Sequence, residues 1–175
     1  CLYPHQTHYV VPETDVYLIP EGVPPKRAVL AANLETAVNA LWDAAPKVGD
    51  RVSIVGAGTL GCMVAWLASD IPGCRVQLVD IDPDKRVIAE SLGIDFQPPQ
   101  TASIKADLVI HASGTEDGLG TALRIAGFEA RIIELSWYGK NHPSVALGEA
   151  FHSQRLILHS SQVGNLPPSQ RGRWT

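Results

Sequence analysis

Three glycines lie at a spacing that can hold a phosphate group. The segment 51–61 reads RVSIVGAGTLG, an apolar run followed by Gly56, Gly58 and Gly61. The apolar run predicts a buried strand, and the pattern after it predicts a helix. In such a unit the first glycine permits a tight turn, the second lets the backbone approach a pyrophosphate, and the third lets the helix pack on the strand. The N–H groups that begin the helix would face the phosphate.

A carboxylate stands where a dinucleotide site requires one. The next apolar run, 76–79, ends in Asp80, 19 residues after Gly61. A carboxylate there accepts hydrogen bonds from the adenosine ribose of NAD and repels the 2′-phosphate of NADP. Lys85 either covers the same ribose or is a solvated helix residue, and Arg86 could soften the repulsion. We therefore predict an NAD site that includes Asp80 and Lys85.

Two other interpretations of the glycine motif stay open. The glycines can serve only the packing of a helix on a strand. A methyltransferase that uses S-adenosylmethionine also carries a glycine-rich turn and an acidic residue that closes the second strand. Such enzymes usually have an acidic residue just before the first glycine, where this chain has Val55. The dinucleotide interpretation is favoured because strand, turn, helix and Asp80 occur together.

The elements that must hold these residues alternate along the chain. Alternating strands and helices predict an α/β fold with a doubly wound parallel sheet, the Rossmann arrangement. The predicted strands are 51–55, 75–79, a short strand within 95–103, 107–111, 130–135 and 155–159. The predicted helices are 25–45, 60–68, 82–93 and 118–126.

Composition divides the chain into four parts. Residues 1–24 form a proline-rich leader with β-like stretches at 7–11 and 15–19, so we expect a short β-rich segment there. The other parts are linking helices at 25–45, the Rossmann domain at 46–165 and an irregular polar tail at 166–175. The chain begins without Met and in mid-pattern, which suggests a fragment of a longer protein.

Bulk properties argue against several classes of protein. A chain of 175 residues, 45% of them hydrophobic, suits one ordinary domain. The net charge of −4 argues against a nucleic-acid surface or a polybasic membrane surface. No apolar stretch is long enough to be a membrane helix. Cys1, Cys62 and Cys74 are odd in number and lack a metal-knuckle spacing, so we expect reduced thiols in a cytoplasmic protein.

Several blocks resemble the medium-chain dehydrogenase/reductase family, the zinc-type alcohol and polyol dehydrogenases. In order, they are Tyr9–Gly22, Ala31–Ala45, Pro46–Gly61 and Val79–Gly93. The first looks like the last strands of the family's GroES-like catalytic domain, and the second like its linking helix. The resemblance implies NAD(H)-dependent hydride transfer between a small-molecule alcohol and a carbonyl compound, with this chain supplying the cofactor-binding part. It also implies a homodimer, for which 144–147 and 155–159 are suitable edge segments.

The resemblance implies further contacts to the cofactor, for each of which ordinary loop or strand-end chemistry is the alternative. The matching residues are Thr36 and Leu60 near the nicotinamide, Ala57 and Thr59 in the glycine motif, Ser113, Gly114, Leu135 and Ser136 in the loops after the fourth and fifth strands, and Ser160 and Ser161 beside the carboxamide.

A catalytic zinc is doubtful on the sequence. The family's third zinc ligand falls at Ala32, which has no donor atom. Glu35 lies about one helical turn further on and either replaces that ligand or is solvated. The other ligands of the family would precede Cys1. We therefore predict no metal residue, and a nucleotide-sensing module without chemistry stays the alternative function.

Four other residues stay ambiguous. His111 ends the fourth strand and either faces the cofactor or is a hydrogen-bonded structural residue. Tyr138 follows the fifth strand and either lines a substrate pocket or forms an aromatic wall or a dimer contact. His5 and His8 have a possible ligand spacing without an evident third partner. No catalytic residue is predicted.

Overall fold

Six parallel strands form one sheet in the order β3-β2-β1-β4-β5-β6. The computed structural model describes residues 7–8 and 10–173. The strands are β1 Arg51–Val55, β2 Arg75–Val79, β3 Asp95–Gln97, β4 Ala106–His111, β5 Ala126–Glu134 and β6 Ile157–Ser160. The helices are α1 Pro25–Ala28, α2 Ala31–Ala44, α3 Thr59–Ser69, α4 Arg86–Ser91 and α5 Glu116–Ile125.

Apolar side chains of the central strands point alternately to two cores. Ile54 of β1 packs in one core with side chains of α2, α3 and α4. Val55, the next residue, packs in the other core with side chains of α5. Successive residues of a strand face opposite sides of the sheet, so helices on both sides require apolar residues in unbroken runs. The doubly wound parallel sheet predicted from the sequence is confirmed.

Small residues let the linking helix lie close to the sheet. Ala37, Ala40 and Ala44 of α2 are fully buried in the first core. The helix ends at Ala44; the next residue, Ala45, caps it with a left-handed φ of 41°, and Pro46 follows. A proline cannot continue the hydrogen-bond ladder, so the chain turns there towards β1.

Two strand boundaries differ from those expected. The third strand has only three residues, Asp95–Gln97. The fifth begins at Ala126 rather than at 130, because the chain pairs with β4 before and after a register shift. Glu129 takes a left-handed φ of 56° within this irregularity. A periodic apolar pattern does not reveal such a bulge, because the extra residues interrupt the alternation.

The β-rich leader expected from the sequence is wrong for the residues that the structure describes. Residues 7–8 and 10–24 contain no strand, and their one regular element is a 3₁₀ turn at Glu13–Asp15. Tyr17 and Leu18 are almost fully exposed. A strand is stabilised by pairing with another strand, and no described strand runs beside this segment. Cys1, His5 and Tyr9 lie outside the described residues.

Two short helical segments lie before and after β6. Leu147–Phe151 is an irregular helix with a kink at Glu149. Pro168–Arg173 forms a 3₁₀ helix where the sequence predicts an irregular tail. No helix in the described part of the chain is long and apolar enough to cross a membrane.

Candidate functional site

The turn between β1 and α3 requires glycine at two positions. Gly56 has a φ of 108°, and a Cβ atom there would lie 2.7 Å from the backbone nitrogen of Ser113. A Cβ atom at Gly61 would overlap the carbonyl oxygen of Gly56. Gly58, at the start of α3, faces open space. The first and third glycines are therefore needed for packing, whereas the second leaves room for a ligand.

A cavity of about 600 Å³ opens at the carboxyl ends of β1, β2 and β4. It has the size of ordinary small-molecule sites, and in open α/β sheets ligands bind at this edge. Five predicted site residues line it: Gly56, Gly58, Asp80, Lys85 and Ser113. Pattern reasoning missed the other wall, formed by Pro99 and Gln100 after β3 and by Thr115, Asp117, Gly118 and Thr121 near the start of α5.

Asp80 holds two turns at once. Its Oδ2 accepts a hydrogen bond of 2.6 Å from the N–H of Ala57, in the glycine turn. Its Oδ1 accepts one of 2.9 Å from the N–H of Asp82. A carboxylate oxygen has more than one lone pair, so both oxygens can still accept from ribose hydroxyls. The side chain is thus fixed in direction before any ligand binds.

The two cations after β2 have partners of their own. Lys85 lines the cavity and lies 3.9 Å from the carboxylate of Asp82. The guanidinium of Arg86 lies over the ring of Phe96, with its carbon 4.9 Å from the ring centroid. Arg86 is absent from the cavity lining, which leaves Lys85 as the cation of the pair that faces the cavity.

The remaining predicted contacts lie outside the main cavity. Ala57 and Thr59 line a smaller cavity of about 340 Å³ between α3 and α4. Thr36 donates its hydroxyl hydrogen to the carbonyl of Ala32, 3.0 Å away. The residues of this set that line neither cavity are Thr36, Leu60, Gly61, Gly114, Leu135 and Ser136. The main cavity therefore brings together part of the glycine motif with Asp80 and Lys85, but not Thr36 and Leu60, the two residues predicted near the nicotinamide.

A cluster joins α2 to the end of β6. The Ser161 hydroxyl donates a hydrogen bond of 2.6 Å to the carboxylate of Asp43. The buried amide of Asn39 donates to both Asp43 and Ser161 at 3.2 Å. These bonds fix the backbone where the sequence predicts contacts to a carboxamide, although Ser161 does not line the main cavity.

A second polar cluster lies under the cavity, at the ends of β4 and β5. His111 is fully buried, and its Nδ1 lies 2.7 and 2.9 Å from the two carboxylate oxygens of Glu134. Its Nε2 lies 2.7 Å from the Oγ of Ser113, which lines the cavity. The Tyr138 hydroxyl donates to Glu134 at 3.2 Å. Of the two readings left open for His111, the structure supports a hydrogen-bonded residue that reaches the cavity through Ser113.

Electrostatics keep Glu134 ionised and Tyr138 neutral. Burial raises the pKa of Glu134, but hydrogen bonds from His111 and Ser136, and the charge that His111 carries when it is protonated, outweigh it, so the pKa lies below its ordinary value. Burial and then the Glu134 charge raise the pKa of Tyr138 to about 12. Tyr138 is therefore a hydrogen-bond donor at neutral pH. The sequence offered only a faint sign of Glu134, an acidic residue at the end of a buried strand.

The described residues do not fit a zinc site. Ala32 and Glu35 are both exposed on α2. Within residues 7–8 and 10–173, no group of three or more His, Cys, Asp or Glu side chains could hold a metal ion. His5, one half of the possible ligand pair, lies outside this part.

Known proteins with similar sequences carry the names of dehydrogenases, one of them of the zinc type. An uncharacterised zinc-type alcohol dehydrogenase-like protein of Haemophilus influenzae is 33% identical over 131 residues, which are 68% of this chain and 38% of that protein. An L-threonine 3-dehydrogenase of Rhizobium rhizogenes is 30% identical over 117 residues, 67% of this chain and 33% of that enzyme. The match thus spans 38% and 33% of the lengths of these two relatives, about a third. No protein-family model matches it.

Solved structures agree on the fold. An Escherichia coli CFT073 protein described as a short chain alcohol dehydrogenase, crystallised with NADH, superposes with a TM-score of 0.74. It is 22% identical, and the match covers 87% of this chain and 48% of that one.

Fold and sequence relatives together define a Rossmann-type domain of the dehydrogenase class. The resemblance drawn from the sequence is confirmed: the chain belongs to the zinc-type alcohol dehydrogenase-like proteins of the medium-chain family.

Proposed function

We propose that this chain is the cofactor-binding part of an NAD(H)-dependent oxidoreductase that interconverts an alcohol and a carbonyl compound. One observation carries the proposal. The glycine turn and the carboxylate of Asp80 are hydrogen-bonded to each other at one cavity, through the N–H of Ala57. A phosphate at the start of α3 and a ribose at Asp80 are the adjoining parts of an adenosine diphosphate group.

Asp80 supports NAD over NADP. A 2′-phosphate would bring negative charge next to a carboxylate that two backbone N–H groups already fix in place. Arg86 would be the natural partner for that phosphate, but it packs on Phe96. The preference is therefore for a free 2′-hydroxyl.

In such a reaction the bound nicotinamide accepts or donates the hydride at C4. The residues at the cavity would bind and orient the cofactor, and none of them is proposed to activate the substrate oxygen. Because the described residues offer no ligand set for zinc, no step of the proposal runs through a metal.

The alternative is a module that senses the nucleotide without catalysis. The exposed Ala32, which has no donor atom at the expected position of a zinc ligand, favours it. Oxidation of NADH by a panel of aldehydes and ketones separates the two. Turnover by the natural full-length protein supports the enzyme, and tight binding without turnover supports the module.

A titration of the chain with NADH, monitored by the fluorescence of NADH, tests the binding itself. Gly58→Glu places a negative charge at the proposed phosphate position, where a Cβ atom meets nothing within 4 Å. We expect at least about tenfold weaker binding, because like charges at a diphosphate cost more than 1 kcal/mol. Gly120→Glu is the matched control, since Gly120 on α5 also faces open space but does not line the cavity.

Two results of this titration would contradict the proposal. One is no NADH binding up to millimolar concentration by the folded chain. The other is displacement of NADH by S-adenosylmethionine at lower concentration than by NAD, which would favour the methyltransferase. A homodimer and a cytoplasmic location remain further predictions.

A further inference from the structure

A chain of hydrogen bonds leads from a buried carboxylate to the cavity. Glu134 on β5 contacts Nδ1 of His111 on β4, and Nε2 of that ring contacts the Ser113 hydroxyl at the cavity wall. Ser113 also adjoins the glycine turn, since a Cβ atom on Gly56 would lie 2.7 Å from its backbone nitrogen. A diphosphate at that turn would therefore lie beside the end of this chain.

The geometry defines the tautomer of the neutral ring. Both Glu134 oxygens face Nδ1, and both are acceptors, so the hydrogen of the ring lies on Nδ1. Nε2 is then an acceptor, and Ser113 donates its single hydroxyl hydrogen to it. The Oγ of Ser113 also accepts from the N–H of Thr115 at 3.3 Å. In this state Ser113 has no hydrogen left for a ligand.

Protonation of the ring reverses the last bond. With hydrogen on both nitrogens, Nε2 donates to the Oγ of Ser113, and the hydroxyl hydrogen leaves the ring. The Thr115 hydroxyl oxygen, 3.0 Å away, and a ligand in the cavity are then the acceptors within its reach. Phosphate oxygens accept hydrogen bonds and donate none. We propose that His111 takes up a proton when the dinucleotide binds, so that the Ser113 hydroxyl donates to the cofactor diphosphate. This inference rests on the proposed cofactor binding.

The charges around His111 favour that uptake. Glu134, on the neighbouring strand, is ionised and compensates a charged ring, while Tyr138 from the following loop stays neutral. From the other elements, Asp80 at the end of β2 and Asp117 on α5 also line the cavity.

Two positively charged features oppose the uptake of a proton by His111. Lys85 also lines the cavity, and the N-terminus of α5 carries a partial positive charge. A bound diphosphate adds negative charge that offsets both. Uptake therefore accompanies binding rather than preceding it.

Calorimetry measures the uptake directly. NADH is titrated into the whole chain at pH 7 in PIPES and in Tris, two phosphate-free buffers whose ionisation enthalpies differ. We expect the observed enthalpy to change with the buffer, with a slope between zero and one proton taken up per NADH. Affinity should rise as pH falls, by at most about tenfold per pH unit for one proton. His111→Asn should abolish the slope, and His152→Asn, an exposed histidine, should retain it.

A second measurement needs no variant. The ¹⁵N shifts of the His111 ring in the wild-type chain should show an Nδ1–H tautomer without NADH and a doubly protonated ring with it. NADH binding with a zero slope and an unchanged ring would overturn this inference and leave the proposed function intact. The absence of any NADH binding would overturn both.

Discussion

Asp80 links the turn that would hold phosphate to the turn that would hold ribose. Its two oxygens accept from the N–H groups of Ala57 and Asp82, on opposite sides of the carboxylate. A side chain fixed in this way loses little freedom when a ligand arrives. Removing it would therefore affect both the turn and the choice between NAD and NADP.

Asp80→Ala should weaken NADH binding by about 1–3 kcal/mol, because a buried N–H loses its acceptor and the ribose loses a partner. It should also reduce the preference for NADH over NADPH, because the charge that repels the 2′-phosphate is gone. Fluorescence titrations with both nucleotides measure this. Asp84→Ala, an exposed position in the same segment, should change neither value. An unchanged ratio of the two affinities in Asp80→Ala would contradict the role given to this carboxylate.

The ion pair between Asp107 and Arg51 predicts a pH range in which the folded state loses stability. The hydrogen bonds and charge of Arg51 lower the pKa of Asp107 to about 2, from an ordinary value of 3.8. A lowered pKa means that the folded state binds the proton more weakly than the unfolded state. The stabilisation is therefore complete above about pH 4 and is lost as pH falls towards 2.

Asp107→Asn should lower the thermal midpoint at pH 6, by no more than about 3 °C because the pair is exposed. The difference between variant and wild type should shrink as pH falls from 4 towards 2. Thermal scans across this range measure it. A difference that stays constant down to pH 2 would show that the ion pair is not its cause.

Sequence reasoning works well where a residue's role depends on near neighbours. The glycine turn and Asp80 follow from one strand–turn–helix unit and the strand after it. The partner of His111 could not be found in this way, because the contact with Glu134 exists only through the register of β4 against β5. That register depends on a bulge, which leaves no periodic signal.

At the scale of elements, α5 lies so close to β4 that its first turn needs glycine. A Cβ atom on Gly118 would overlap the Ser113 Oγ and lie 2.7 Å from Nε2 of His111. The hydroxyl of Thr115 begins the helix by accepting from the N–H of Gly118 at 3.1 Å. The packing at the start of α5 therefore also positions the hydrogen-bonded residues Glu134, His111 and Ser113 under the cavity.

Gly118→Ala should destabilise the fold by about 1–3 kcal/mol, because the added methyl group displaces Ser113 or the whole turn. Gly120→Ala on the same helix meets nothing within 4 Å and should stabilise by about 0.5–1 kcal/mol through helix propensity. Urea unfolding of both variants measures the difference. Equal stabilities would mean that α5 does not pack on β4 as described.

The leader shows where element prediction fails. Its alternating apolar residues are typical of strands, yet the described residues 10–24 form none. Strand formation depends on a neighbour, which a local pattern cannot supply. Helix α2 was predictable because its hydrogen bonds are internal and because Leu34, Val38 and Leu41 recur at helical spacing in the sequence, although the structure buries alanines of this helix.

At the scale of the whole molecule, the sheet ends in an open edge at β6. This strand pairs with β5 on one side, and no described strand pairs with its other side. Ile157 is 52% exposed and Leu158 is 37% exposed. Such an edge favours pairing with another chain. The homodimer expected from the sequence would use it.

Light scattering should give the mass of two chains for the wild type. Leu158→Lys places a charge on the edge and should shift the mass towards one chain, because a buried unpaired ammonium is costly. Val48→Lys is the control, since Val48 is 74% exposed in a turn away from β6. A wild-type mass of one chain, or a dimer unaffected by Leu158→Lys, would contradict an interface at this edge.

The central position of β1 has a consequence for how fast the chain folds. Val52 pairs with Val76 on one side and with Leu108, 56 residues away in sequence, on the other. Closing so long a loop costs chain entropy before the contacts that compensate for it have formed, and this cost slows folding. We expect β1, β2 and β3 to associate first and β4 to dock late. In stopped-flow measurements, Ile54→Val should then slow refolding, whereas Ile133→Val should mainly speed unfolding.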